Sequence, residues 1–202
     1  SLPANSTTTI YMYYGNSEAE YDGSGEKTFV FFDDFSGDLS NKWTSLSNAS
    51  TTATTSAHYG GKVLSLGGSG STNGSAFVRS SYFYGSNVAA RILVYDLGNG
   101  VSGSPDADFA FLARYVDANN YIFGEHDTDV GFHMNQVVSG NQTQLGVVAG
   151  DYIDFNEWEW QEWIFWGTSD ADHKAKHWEY ATSEPANYPL NASGTTYFAS
   201  GV

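Results

Sequence analysis

Apolar and polar side chains alternate residue by residue along most of this chain, and nowhere is a 3.6-residue period sustained. Asp108–Val116 carries Phe109, Phe111, Ala113 and Tyr115 at every second position. Ser86–Leu97 does the same with Val88, Ala90, Ile92 and Val94. A period of two places successive side chains on opposite sides of a strand, so each such segment has one face to bury. Clusters of Gly, Ser, Asn and Asp separate the segments, as at Gly67–Gly74, Gly98–Ala107 and Asp117–Asn120. Strands are expected at 7–14, 28–35, 61–66, 75–84, 86–97, 108–116, 121–125, 131–138, 143–148 and 158–166, with a short one at 178–180. Residues 45–57, nearly all Ser, Thr, Ala and Asn, read as a loop or a solvated strand. Asp170–Lys176 is polar and charged and is not counted as a strand, and 187–199 closes the chain.

About ten to twelve strands at this spacing make an all-β sandwich of two antiparallel sheets. The chain divides into an N-terminal strand and linker, 1–27, and a sandwich, 28–202. The 202 residues suffice for one large sandwich.

Net charge is −15 and the sequence pI is about 4.3. Such a surface repels phosphate backbones and anionic membranes, which argues against nucleic acid and membrane insertion as partners. It attracts Ca²⁺ or serves solubility. The chain has no Cys, which excludes a disulfide framework, a thiol nucleophile and Cys-ligated zinc. No apolar run of membrane-spanning length and no signal peptide is visible, so Ser1 reads as a mature start. Five glycosylation sequons begin at Asn5, Asn48, Asn73, Asn141 and Asn191, all in polar stretches. Together they point to an extracellular or cell-surface glycoprotein.

Two resemblances add to this reading. Leu2 to Asn16, with the β-prone run Thr7–Tyr14, resembles the final strand of a domain of unknown function (number 2341) found in archaeal and bacterial surface proteins. In those proteins such a strand leads into a segment similar to Phe31-Phe32-Asp33-Asp34-Phe35-Ser36-Gly37. Residues 28–202 resemble concanavalin A-like (laminin G-like) domains. The likeness rests on Phe32-Asp33-Asp34-Phe35 followed by Leu39 and Trp43, on Phe109 to Ile122, and on Glu157-Trp158 with the alternation after it. The second resemblance implies a jelly-roll sandwich and a Ca²⁺ or carbohydrate ligand.

Several side chains are candidates for chemistry. Asp33 and Asp34, adjacent on an expected strand, point to opposite faces. They are either ligands of a Ca²⁺ ion, as the resemblance implies, or solvated acids at a strand end. Glu157, Glu159 and Glu162 resemble the acidic signature of family 16 glycoside hydrolases, whose retaining chemistry needs two carboxylates about 5–5.5 Å apart. They are read either so or as an acidic row beside a core filled by Trp158 and Trp160. Trp158, Trp160 and Trp163 are candidate carbohydrate platforms, because sugar rings stack on aromatic faces. If Trp158, Trp160, Ile164 and Trp166 share the core face, Trp163 needs a local irregularity or lies on the other side. Glu125–Asp129 with His133 forms an acid and imidazole cluster suited to zinc or Ca²⁺, with His126 and His133 approaching across a hairpin. His173 and His177 imply no partner.

Three functions fit these features. The first is an extracellular carbohydrate-binding or adhesive module of a cell-surface protein. The second is a structural subunit forming homo-oligomers or filaments by strand exchange through residues 7–14. The third is a glycoside hydrolase.

Overall fold

The computed structural model describes residues 9, 23–53, 61–67, 75–78, 87–96, 109–127, 129–154, 156–167 and 171–194. The expected strand 7–14 lies outside the described residues apart from Thr9, as do Asn5 and Asn73. The chain forms two compact units, Ser1–Asp33 and Asp34–Val202.

In the first unit the described segment is a single helical turn, α1 (Gly25–Thr28). The backbone N–H groups of Lys27 and Thr28 donate to Ser24 O, and the Thr28 hydroxyl donates to the same oxygen. Phe29 and Phe32 stack with ring centroids 6.2 Å apart. The strand expected over 28–35 does not form. β-propensity favours an extended backbone, but a strand also needs a ladder partner, and here the local turn at Ser24 takes the first residues instead.

The second unit is an all-β sandwich of antiparallel strands. After a one-turn 3₁₀ helix at Leu39–Asn41 come β1 (Trp43–Ser47), β2 (Ala49–Ala53), β3 (Lys62–Leu66) and β4 (Ser75–Val78). They pair as β1 with β4 and β2 with β3. The described part of the Ser/Thr-rich stretch, 45–53, is therefore strand, turned at Asn48, which adopts φ +47°. The remaining strands are β5 (Val88–Tyr95), β6 (Phe109–Asp117), β7 (Asn120–His126), β8 (Gly131–Val138), β9 (Asn141–Ala149), β10 (Trp158–Phe165), β11 (Ala171–Glu179) and β12 (Leu190–Gly194). They form two four-stranded sheets, ordered β6-β7-β8-β9 and β12-β11-β10-β5.

The core lies between these sheets. Ala113, Ile122, Phe132 and Met134 from one meet Trp163, Phe165, Ala175, Leu190 and Ala192 from the other. Phe132 and Trp163 approach to 4.6 Å between centroids. Trp163 lies flat over Gly124, where an added Cβ would sit 2.0 Å from the indole. Burying each such aromatic side chain stabilises the fold by about 1.5–3 kcal/mol. Ile92 packs against this core from β5.

β10 is paired on both sides without a register break. Its burial alternates strictly, with Glu159, Gln161, Trp163 and Phe165 inward and Trp158, Trp160, Glu162 and Ile164 outward. The expected core face is thus reversed: Trp163 and Phe165 fill the core, while Trp158, Trp160 and Ile164 face away. β11 corrects the sequence reading at Asp170–Lys176, which largely falls in a regular strand. Among the described residues no helix is long and apolar enough to cross a membrane.

Candidate functional site

Three groupings of chemically capable side chains emerge. One lies on the outer face of the β12-β11-β10-β5 sheet, one inside the sandwich near the start of β10, and one on the outer face of the β6-β7-β8-β9 sheet.

The outer face is aromatic and charged. The β10–β11 register sets Trp160 opposite Trp178, and both rings stack at 6.3 Å between centroids. Tyr180, just past β11, also stacks against Trp160, with centroids 6.3 Å apart. Tyr95 on β5 faces Trp158 at 5.0 Å. Trp178 is nearly buried because Arg91 and Lys176 lie over its ring, at 5.2 Å and 5.5 Å. Such cation–π contacts favour rings that have lost water. Trp160 is half-buried, while Tyr95 and Tyr180 are exposed by 38% and 39%.

Polar groups border the rings. Arg91 Nε donates to Glu162 Oε2 at 2.8 Å, and Arg91 Nη2 donates to Glu184 at 3.0 Å. The Tyr188 hydroxyl donates to Glu162. Lys176 Nζ donates to Glu184 and to Pro185 O. Segment 184–188, after β11, thus holds its polar groups against the sheet.

The inner grouping is buried and polar. His126 ends β7, His177 lies on β11, and both rings converge on Glu159 of β10. Nδ1 of His126 donates to Glu159 Oε1 at 3.0 Å, and Nδ1 of His177 donates to Oε2 at 2.9 Å. Gln161 Nε2 donates to Glu159 Oε1 at 2.8 Å, and Gln161 Oε1 accepts from the Trp163 indole N–H at 3.1 Å. The second nitrogens of the two imidazoles both face Asp151. His126 Nε2 lies 3.0 Å from its backbone oxygen, and His177 Nε2 lies 2.8 Å from its carboxylate. Burial opposes the charge on Glu159, but the hydrogen bonds from His126 and His177 outweigh it and hold the carboxyl at about 2. Burial likewise disfavours the charged form of His177, yet Glu159 and then Asp151 raise it to about 9.

On the outer face of the β6-β7-β8-β9 sheet Glu125, Asp127 and His133 form a further cluster. His133 Nε2 lies 3.2 Å from Glu125, and its Nδ1 lies 3.4 Å from Asp127 and 2.9 Å from Gly131 O. Burial is outweighed by the oxygens of Glu125, Gly131 and Asp127, so His133 is more basic than usual. The other Asp127 oxygen accepts backbone N–H groups of Asp129, Val130 and Gly131 and shapes the turn. Gly131 adopts φ +110° there, a conformation that disfavours side chains.

The three glutamates read either as a catalytic set or as an acidic row are not brought together. Glu157 precedes β10 and is exposed, Glu159 faces inward between two histidines, and Glu162 faces outward to Arg91 and Tyr188. With Glu159 and Glu162 on opposite faces of one sheet, no carboxylate dyad forms between them. Trp163 has no exposure and offers no ring face to a sugar, whereas Trp158 and Trp160 keep partly open outward faces. His126 and His133 do not approach, because the β7–β8 register pairs His126 with Phe132 and Glu125 with His133. The Asp34 carboxylate accepts from the backbone and hydroxyl of Ser36 at 3.0 Å and 2.7 Å. Among the described residues neither Asp33 nor Asp34 belongs to a group of three clustered ligating side chains. Asn141 and Asn191 are exposed, and each amide donates to a nearby backbone oxygen, of Ser139 and Tyr188 respectively. The roles of Asp151 and His177 had no local signal, since their spacing to Glu159 and His126 fits no short motif.

Residues 1–46 match a family described as Domain of unknown function (DUF2341). The match covers less than a quarter of the chain and runs into β1. It agrees with the first of the two resemblances in the sequence. No curated protein and no solved structure matches the chain.

Proposed function

We propose that this chain is an extracellular carbohydrate-binding module of a cell-surface protein, with a concanavalin A-like jelly-roll sandwich and its ligand platform on the outer face of the β12-β11-β10-β5 sheet. The observation that carries the reading is Trp160, half-open on that face and stacked against both Trp178 and Tyr180. A ring held by two neighbours is rigid before the ligand arrives, which lowers the ordering cost of binding. The apolar face of a pyranose stacks on such a ring, and the hydroxyls around its edge need bidentate polar partners. Arg91, Glu162 and Glu184 offer those next to the aromatic cluster. Exposed Tyr95, against Trp158, extends the platform along the sheet. The sequons at Asn141 and Asn191, exposed on strands β9 and β12, fit an exported protein.

The test is binding to an array of neutral and acidic oligosaccharides, followed by titration with the best of them. Trp160→Ala should weaken binding tenfold or more, about 1.4 kcal/mol. Tyr180→Ala, removing an exposed neighbour, should weaken it less. Absence of binding across the array, or unchanged affinity in Trp160→Ala, would overturn the reading.

A further inference from the structure

The geometry around Asp151 points to a second site: we propose that His126 Nε2, His177 Nε2 and the Asp151 carboxylate bind one divalent ion of the zinc class. Their ligating atoms lie within 4.8 Å of one another. The backbone oxygen of Asp151 stands 3.0 Å from His126 Nε2 and is placed to complete a four-atom set. Ligand atoms around an ion with bonds near 2.1 Å sit about 3.0–3.4 Å apart, close to the 2.8 Å and 3.0 Å separations at the two Nε2 atoms.

Two features separate this cluster from an ordinary buried ion pair. The first is the donor count. All four ring nitrogens of His126 and His177 face oxygen acceptors, two on Glu159 and two on Asp151. A neutral imidazole carries one N–H and one lone pair; with the Nδ1 N–H of each ring given to Glu159, the Nε2 lone pair of each is turned toward Asp151. One divalent ion takes both Nε2 lone pairs together with the Asp151 oxygens, any proton on Nε2 leaving to solvent, where His126 is wholly buried and the two rings lie 4.4 Å apart between centroids.

The second feature is Glu159. A ligating histidine almost always donates its other N–H to a carboxylate or carbonyl, which fixes the tautomer and aims the remaining nitrogen. Glu159 does this for both rings at once, and Gln161 fixes Glu159. It is a positioning residue for the site. Two imidazoles and a carboxylate suit zinc-class ions, whereas Ca²⁺ asks for six to eight oxygens. The ion would tie β7 of one sheet to β11 of the other and hold the loop at Asp151 between them.

Titration of the full chain, stripped with chelator, with ZnCl₂ by calorimetry tests this directly. One equivalent should bind to the wild type, with protons released and with a visible d–d band when Co²⁺ replaces Zn²⁺. CaCl₂ should not compete. Asp151→Asn, in a partly exposed loop, should weaken binding at least tenfold, and Glu159→Gln by about 10–100-fold. His133→Gln, in the neighbouring cluster, should leave it unchanged. No stoichiometric binding to the wild type would overturn the proposal whatever the variants do. So would equal binding by Asp151→Asn, or loss of binding in His133→Gln.

Discussion

At the scale of single residues, the sandwich depends on places where one side chain has no substitute. Gly124 is one. The Trp163 indole occupies the space a Cβ would need, at 2.0 Å. Gly124→Ala must displace the largest side chain of the core or bend β7, and overpacking of this kind costs about 1–3 kcal/mol. Denaturant unfolding should show a lower midpoint with an unchanged slope. Glu159 is another. It is the carboxylate shared by His126 and His177, and it continues through Gln161 to the Trp163 indole. Glu159→Ala leaves buried His126 and partly buried His177 without their shared acceptor, and breaking a buried pair costs about 3–5 kcal/mol. Equilibrium unfolding in the presence of chelator checks it, and a cost below about 1 kcal/mol would count against the network as drawn.

At the scale of strands, the alternation of period two announced most of the sandwich. β5, β6, β7, β8 and β10 lie close to where the pattern puts them, because each has an apolar face and a bounding turn. The pattern does not say which face is inner. In β10 aromatic residues occur at both parities, Trp158 and Trp160 on one and Trp163 and Phe165 on the other. The choice was made by the partner sheet, where Gly124 leaves room for Trp163. β11 was hidden for a related reason. Its inward residues include His173 and His177, and its outward ones Asp172, Lys174 and Lys176, so neither face reads as apolar. The site was less legible still, since its members come from β7, the Asp151 loop, β10 and β11, and only folding sets them together.

β11 also makes stability depend on pH. Burial, then the positive charge of Arg114, lowers His173 from its ordinary 6.5 to about 4. The unfolded chain therefore binds a proton that the folded chain refuses between those values. Its contribution is complete above about pH 6.5 and is lost as the pH falls to about 4, and a shift of this size corresponds to about 3 kcal/mol. His173→Gln should flatten the loss of thermal stability over that window. A profile parallel to that of the wild type would show that His173 titrates normally.

At the scale of the whole molecule, charge is the dominant property. A net charge of −15 on 202 residues repels itself, and salt screens the repulsion, with a Debye length near 30 Å at 0.01 M and about 10 Å at 0.1 M. The melting temperature should rise by several degrees across that range of NaCl, measured by scanning calorimetry in chelator. A fall would mean that attractive surface pairs, such as Arg91 with Glu162, outweigh the repulsion. The same acidity leaves the outer face of the β12-β11-β10-β5 sheet distinctive, since basic Arg91 and Lys176 lie there over an aromatic ring. The reading of the molecule as a glycan-binding module rests on that face. Its most direct test is nuclear magnetic resonance of the six tryptophan indole N–H groups during titration with an array-selected oligosaccharide. The Trp160 indole signal should move saturably with ligand while that of buried Trp163 stays in place; movement of Trp163 with Trp160 unchanged, or no indole response to a sugar that binds, would contradict the account.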